Sequence, residues 1–166
     1  MVGIIADLHD HLLNFDVFLE KTAPLNLEEL WIAGDVGTPE TVSVLAQKFL
    51  QPIRLVAGNV ETGHKLAAYT AVTQEFKHLT WSATEPLAWT AGEATIALFH
   101  FPRNANHYVR THQPTLVVSG HIHRPNLKKI NNTWHINPGT LAGIFTPATY
   151  VTADLSAMTF ILKRLY

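Results

Sequence analysis

The sequence has no cysteine, which excludes disulfides, thiolate metal sites, iron–sulfur ligation and a cysteine nucleophile. Charge of either sign is sparse and nearly balanced: 12 Lys and Arg stand against 13 Asp and Glu in 166 residues, a formal net charge of −1. No general attraction to nucleic acid or to an anionic membrane surface follows, so any anion must be recognised locally. No run of about 18 apolar residues is available to span a bilayer. Met1 is followed closely by Asp7 rather than by the basic and apolar regions of a signal peptide. These absences lead to the expectation of a soluble, cytoplasmic protein. Hydrophobic residues make up 47% of the chain, enough to core a single domain over residues 1–166. What the sequence does have is histidine, ten in all, and their positions carry the functional argument.

One pattern recurs in the first half. Val2–Ala6 is a short apolar run of the kind that forms a buried strand, followed by Asp7-Leu8-His9 and a periodic stretch with Phe15, Phe18 and Leu19 that ends before Pro24. Leu30–Ala33 repeats the strand and Gly34-Asp35 the loop, and Thr38-Pro39-Glu40 supplies a capping hydroxyl and a first-turn proline for a helix through Val42, Leu45 and Phe49. Ile53–Ala57 is a third strand, closed by Gly58-Asn59, with a weaker helix from about His64 to Tyr69. This βαβαβα order implies a parallel sheet with crossover helices.

Beyond Lys77 the pattern turns to hairpins. Strands are expected at Trp81–Ser82, Leu87–Thr90, Thr95–Phe99, Leu116–Ser119, Leu127–Ile130, Trp134–Asn137, Tyr150–Ala153 and Thr159–Leu165, with a helix over Asn104–His112. Turns fall at Ala91-Gly92 and Asn131-Asn132. The whole reads as an α/β fold in which two sheets pack face to face with helices on their outer faces.

Asp7, Asp35, Asn59, His100 and His121 each follow an apolar strand run, where side chains from different strands converge at one sheet edge. Surface polar residues have no reason to prefer the same end of every strand, so a shared site is the better reading. In extended chain, residues i and i+2 point the same way about 6.5–7 Å apart, so Asp7 with His9 and His121 with His123 can each present two donors to one cavity. Two metal ions about 3.5–4 Å apart could share them. Asp35, alone in its loop, is the natural bridge, and Asn59 offers an amide oxygen. Nitrogen and oxygen donors without thiolate favour Mn²⁺, Fe²⁺, Zn²⁺ or Ni²⁺ over soft ions, and four imidazoles argue against Ca²⁺ or plain Mg²⁺; of the four, Mn²⁺ is the expected ion.

Asp7-Leu8-His9, Gly34-Asp35, Gly58-Asn59, His100 and Gly120-His121-Ile122-His123 resemble the ordered motifs of the calcineurin-like metallophosphoesterases. Asn137-Pro138-Gly139-Thr140 is similar to a segment of their small phosphodiesterase branch. The resemblance implies a four-layer α/β/β/α sandwich of two mixed sheets flanked by helices, and a binuclear metal centre that hydrolyses phosphodiesters by attack of a bridging hydroxide. It places Asp7, His9, Asp35 and His123 on one ion, and Asp35, Asn59, His100 and His121 on the other. His9, Asp35 and Asn59 take the catalytic roles, His9 either as ligand or by orienting or protonating near the phosphate.

The pattern is not matched throughout. Phe101 stands where many relatives have Gly, making the approach to His100 bulkier. Val60 stands where larger phosphatases have the histidine credited with assisting the leaving group. Glu61 reads as a helix cap or as a hydrogen-bond partner of a ligand. Arg103, Asn104, His107 and Arg124 are equally readable as phosphate contacts or as solvated loop residues, whereas His64, His78, His112 and His135 follow no pattern. The implied partner is a small phosphoester, with no membrane or nucleic-acid role indicated and self-association left open. The alternatives are a phosphomonoesterase of the same fold and a non-catalytic interaction scaffold, as in the retromer subunit.

Overall fold

The computed structural model describes residues 1–166 except for the side chain of His64, so the reading of that histidine lies outside the described residues. The chain alternates strand and helix as β1 (Val2–Ile5), α1 (Leu12–Thr22), β2 (Glu29–Ile32), α2 (Pro39–Lys48), β3 (Ile53–Val56), α3 (Leu66–Glu75) and β4 (Leu79–Ser82). It continues through β5 (Leu87–Ala91), β6 (Ala94–Leu98), α4 (Pro102–His112), β7 (Leu116–Val118), β8 (Asn126–Ile130), β9 (Thr133–Asn137), β10 (Thr149–Asp154) and β11 (Thr159–Arg164). One mixed sheet has the order β11-β10-β1-β2-β3-β4 and the other β5-β6-β7-β9-β8. Among the described residues, no helix is long and apolar enough to cross a membrane.

Local chemistry explains most boundaries. The Thr38 hydroxyl accepts from Thr41 N at 3.3 Å and Pro39 opens α2, as a capping residue followed by proline should. At the start of α1 the His11 ring performs the same service for Asn14 N at 3.3 Å. The hairpins β5–β6 and β8–β9 turn at Gly92 and Asn131, both with positive φ, which tight two-residue hairpin loops require.

Two elements differ from the sequence reading. The short strand expected at Trp81–Ser82 is β4, which pairs parallel with β3 and extends the first sheet instead of opening a hairpin. The helix expected over His64–Tyr69 begins as a 3₁₀ turn at Gly63–Lys65 and continues to Glu75. Tyr69, Val72 and Phe76 follow helical spacing and pack into the core. That longer helix carries the chain back across the sheet, which is why β4 enters parallel to β3.

Alternation along the strands divides the apolar side chains between two layers. Ile5, Leu30, Ile32, Ile53 and Leu55 meet α1, α2 and α3, together with Phe15, Phe18 and Tyr69. Val2, Ile4, Trp31 and Val56 face Ile96, Leu98, Leu116, Val118 and Ile136 of the second sheet. α4 covers the outer face of that sheet over Ala97, Phe99 and Val117. The layers are therefore α/β/β/α, with three helices on one side and one on the other.

Gly3, inside β1, leaves room for the helix layer: a Cβ there would lie 2.8 Å from Leu27 Cδ1 and 2.9 Å from Phe18 Cζ. Phe18 is fully buried and meets Tyr150 edge-on at 5.2 Å. Phe18→Ala should cost about 3–5 kcal/mol. Gly3→Ala should cost less in the Phe18→Ala background than in the wild type, because the two sites share one volume. Denaturant unfolding of both single variants and the double variant checks this, and strictly additive costs would contradict it.

Candidate metal centre

The parallel strands β1, β2 and β3 of one sheet and β6 and β7 of the other end at a common edge, where the chain leaves each strand through a polar loop. Asp7, Asp35 and Asn59 emerge from the first sheet, and His100, His121 and His123 from the second. Asp7, His9, Asp35, His121 and His123 have φ between 46° and 69°, a left-handed conformation that costs an ordinary residue about 1–2 kcal/mol. Such strain persists only where the surroundings fix it.

The donor atoms fall into two groups, Asp7, His9 and His123 in one and Asp35, His100 and His121 in the other, each with its potential ligand atoms within 4.8 Å of one another. In the first, His9 Nε2 lies 3.3 Å from His123 Nε2, which is 3.4 Å from Asp7 Oδ1. In the second, His100 Nε2 lies 3.2 Å from His121 Nδ1 and 3.4 Å from Asp35 Oδ2, and Asn59 Oδ1 is 3.0 Å from both ring nitrogens. Asp35 Oδ2 is also 3.9 Å from His9 Nε2, so one oxygen faces both groups.

The far sides of two rings show which atoms point inward. His100 Nδ1 sits 2.8 Å from Ala33 O and His123 Nδ1 3.1 Å from Ile144 O. A carbonyl only accepts, so each Nδ1 carries a proton, and the ring in its neutral form turns an Nε2 lone pair into the site. There it meets carboxylate, amide and imidazole acceptors. Acceptors facing acceptors at 3.0–3.9 Å suit a shared cation, whose ligands at about 2.0–2.2 Å stand about 3–4 Å from one another. The residues present thus fit divalent metal.

Buried backbone contacts hold the donors. Glu61, fully buried, accepts from Asp35 N (2.9 Å), Gly37 N (3.0 Å) and Gly58 N (2.7 Å). It is therefore the hydrogen-bond partner rather than the helix cap. Val60 N donates to Asp35 Oδ1 at 2.9 Å, leaving Oδ2 free. Gly58 must be glycine, since a Cβ would lie 2.2 Å from Asp35 Oδ1. Asn137 Nδ2 donates to Gly120 O, and Thr140 Oγ1 to Asp7 O, both at 2.9 Å, so the Asn137–Thr140 segment ties the Asp7 loop to the His121 loop.

Burial sets the electrostatics. It pushes Asp7 up to about 7, against the opposing pull of His100, and raises Glu61 despite the N–H groups it accepts from. Burial alone would raise Asp35, but contact with His100 and the Val60 N–H brings it below the usual carboxylate range. His100 goes the other way: burial disfavours its charge, yet Asp35 beside it raises it. His9 and His121 are lowered, chiefly by burial. In the metal-free protein, protons on Asp7 and His100 thus relieve part of the crowding.

Of the other residues singled out from sequence, Arg103, Asn104 and His107 line a separate cleft with Glu85, Phe99 and Tyr108, and Arg124 is exposed. His78 bonds Ala46 O and His112 stacks on Tyr108. Phe101 packs edge-on against His100 and His121, at 4.9 and 4.8 Å. Sequence reasoning misses Glu85, which accepts from His100 N, from Phe101 N at 2.6 Å and from Asn104 Nδ2 at 2.6 Å. The available signal was the lack of a capping side chain at Phe101, before α4, which calls for a remote cap. It also misses Asp10, whose Oδ1 accepts from Thr38 N and Thr41 Oγ1, both at 2.6 Å, and Ile144 and Phe145 at the mouth of the site.

A family model described as calcineurin-like phosphoesterase superfamily domain matches residues 1–158. No curated protein compared with the chain matches it. Among solved structures, one described as a novel archaeal phosphodiesterase has TM-score 0.86 at 18% identity, covering 98% of both chains. YfcE, a phosphoesterase from E. coli, has TM-score 0.64 at 20% identity, covering 99% of both. Wild-type Vps29 of Entamoeba histolytica, solved in complex with Zn²⁺, has TM-score 0.63 at 16% identity, covering 98% of this chain and 97% of that one. These likenesses show the fold.

The folded chain holds a proton on Asp7 between the ordinary value of 3.8 and about 7, where the unfolded chain has lost it. His100, raised by Asp35, contributes stability below its ordinary value of 6.5 that is lost as pH climbs through its folded value. Asp7 makes metal-free stability fall as pH rises from about 4 to about 7 and His100 extends the fall above 6.5, while His9 and His121, lowered by burial, act in the opposite direction below 6.5. Divalent cation competes with those protons, so metal stabilisation should grow over the same window. Thermal melts in chelator and in saturating Mn²⁺ from pH 5 to 8 check this, and parallel pH profiles would contradict it.

Proposed function

We propose that this chain, which belongs to the calcineurin-like phosphoesterase superfamily, is a metal-dependent phosphodiesterase. The observation that carries the reading is the pair of donor groups from Asp7, His9 and His123 and from Asp35, His100 and His121. We assign the first, together with Asp35, to one divalent cation, and the second, together with Asn59, to another. Asp35 would serve both ions, since Val60 N–H takes Oδ1 and leaves Oδ2 facing both donor groups. Nitrogen and oxygen donors without thiolate suit Mn²⁺, Fe²⁺, Zn²⁺ or Ni²⁺, and of these we assign Mn²⁺. When bound, such a pair supplies Lewis acidity to the phosphoryl oxygens and lowers the pKa of an attacking water.

The chain's own residues do the rest. Asp7, Asp35 and His100 are buried, while His121 and Asn59 are exposed, so the donor set opens on one side toward a cleft of about 330 Å³. His9, half-buried, lines that cleft with Asn59, where its ring orients the ester. The lining contains neither Lys nor Arg. That absence favours a diester, with one negative charge, over a monoester, whose second charge would lack a side-chain partner. A non-catalytic scaffold has no use for a buried set of mutually repelling donors.

The test is reconstitution with Mn²⁺ followed by assay on matched aryl diesters and monoesters. Two bound metal ions, diester hydrolysis ahead of monoester, and loss of activity in chelator are expected. Asp35→Ala should lower activity to background and weaken binding of both ions. Near wild-type turnover in that variant would end the binuclear assignment, and faster monoester hydrolysis would move the activity to a phosphomonoesterase.

Val60 offers no proton to a departing oxygen. Rates should therefore fall steeply as leaving-group pKa rises, and Val60→His should flatten that dependence, since general acid assistance is worth about 10²–10⁴-fold. A plot of log(kcat/KM) against leaving-group pKa decides, and a shallow slope in the wild type would mean that another residue is the acid.

A further inference from the structure

Phe145 is 93% exposed, and its backbone lies at φ 65°. An aromatic side chain in the left-handed region carries strain, and a ring this exposed gains little packing to offset it. Yet the loop that bears it is anchored. Ile144 O accepts from His123 Nδ1 at 3.1 Å, and Thr146 Oγ1 donates to His123 O. The residues on either side of Phe145 therefore grip the same histidine, and the phenyl ring is held 5.6 Å from the His123 ring, centroid to centroid.

With Ile144, Phe145 forms the apolar wall of the cleft otherwise lined by His9, Asp35, Asn59, His121 and His123. The polar walls account for a phosphoryl group. The organic part of an ester must lie against what remains, and what remains is one flat aromatic face with an aliphatic neighbour. With no Lys or Arg in the lining, further phosphate groups find no partner, which disfavours polyphosphorylated ligands.

We propose that Phe145 is a specificity-determining residue, a stacking platform for the planar substituent that stays on phosphorus, so that the preferred substrates are phosphodiesters whose non-leaving group carries an aromatic ring or a nucleobase. This rests on the reading of the site as a phosphoesterase centre. Stacking on an aromatic side chain is tolerant of which ring is presented, because every base has a π face. Tryptophan at this position should therefore preserve the preference and alanine should remove it.

The binding probes are thymidine 5′-monophosphate and inorganic phosphate, titrated calorimetrically into the Mn²⁺-loaded protein. The turnover probes are the p-nitrophenyl ester of thymidine 5′-monophosphate and methyl p-nitrophenyl phosphate, which share a leaving group. The wild type should bind the nucleotide about tenfold or more tightly than phosphate. In Phe145→Ala that ratio should fall toward one, and the kcat/KM ratio of the two esters should fall with it through KM. Phe145→Trp should keep both ratios. A wild-type ratio near one, or a ratio unchanged in Phe145→Ala, overturns the platform while leaving the phosphoesterase reading intact. Failure of both probes to bind, with no ester hydrolysed, removes the phosphoesterase reading and the platform with it.

Discussion

The constraint on which the rest depends is the crowding of electron pairs where two sheets meet. Asp7, Asp35, His100 and His123 are buried at the same edge, and their free oxygen and nitrogen atoms face one another at 3.4 Å in both donor groups. With every donor unprotonated and no cation present, such a cluster is repulsive, and burial makes it worse because a low-dielectric surrounding screens little. A cation would turn the same arrangement from repulsive to favourable. The fold must therefore hold the donors in place by means that do not depend on their mutual attraction.

Those means are hydrogen bonds from behind. Glu61 is the clearest, a buried carboxylate that joins the loops after β2 and β3 through three backbone N–H groups. Being negative, it also adds to the charge around Asp7 and Asp35, which raises the demand for a cation. On the other side Asn137 and Thr140 bind the loops of His121 and Asp7, and Glu85 fixes the backbone of His100 and Phe101. With these supports, the left-handed residues of the site stay where they are.

This division explains what the sequence could disclose. Asp7, Asp35, Asn59, His100 and His121 follow strand runs, which were enough to bring them to one edge; His9 and His123 were read from extended i, i+2 spacing, whereas the backbone there is left-handed, and the structure nonetheless places all seven together. The two-sheet architecture and α2, with its Thr38-Pro39 start, were legible for the same local reasons. β4 was not, because its direction is set by the length of α3, and that helix has a weak apolar face from Tyr69, Val72 and Phe76 with no capping side chain at its start. Glu85 and Asp10 were hidden because each acts across a long sequence separation on backbone groups. Phe145 was hidden because an exposed aromatic in a loop leaves no periodic trace.

Each donor group draws on both sheets. Asp7 and His9 follow β1 in the first sheet and meet His123, which follows β7 in the second. Asp35 and Asn59, after β2 and β3, meet His100 and His121, after β6 and β7. Neither group can be completed within one sheet, so the relative placement of the sheets decides whether the donors meet. That placement is set by the apolar layer between them, where Trp31 of β2 meets Trp89 of β5 edge-on at 4.9 Å and Arg54 lies over the same ring at 4.5 Å. A slip of the sheets by a fraction of the donor spacing would open both groups at once. Under the proposed assignment the inter-sheet core and the cations are thus linked quantities. Any ion that requires both sheets in register adds its binding free energy to the stability of the sandwich, and any loosening of the Trp31 layer must weaken metal binding at the far edge.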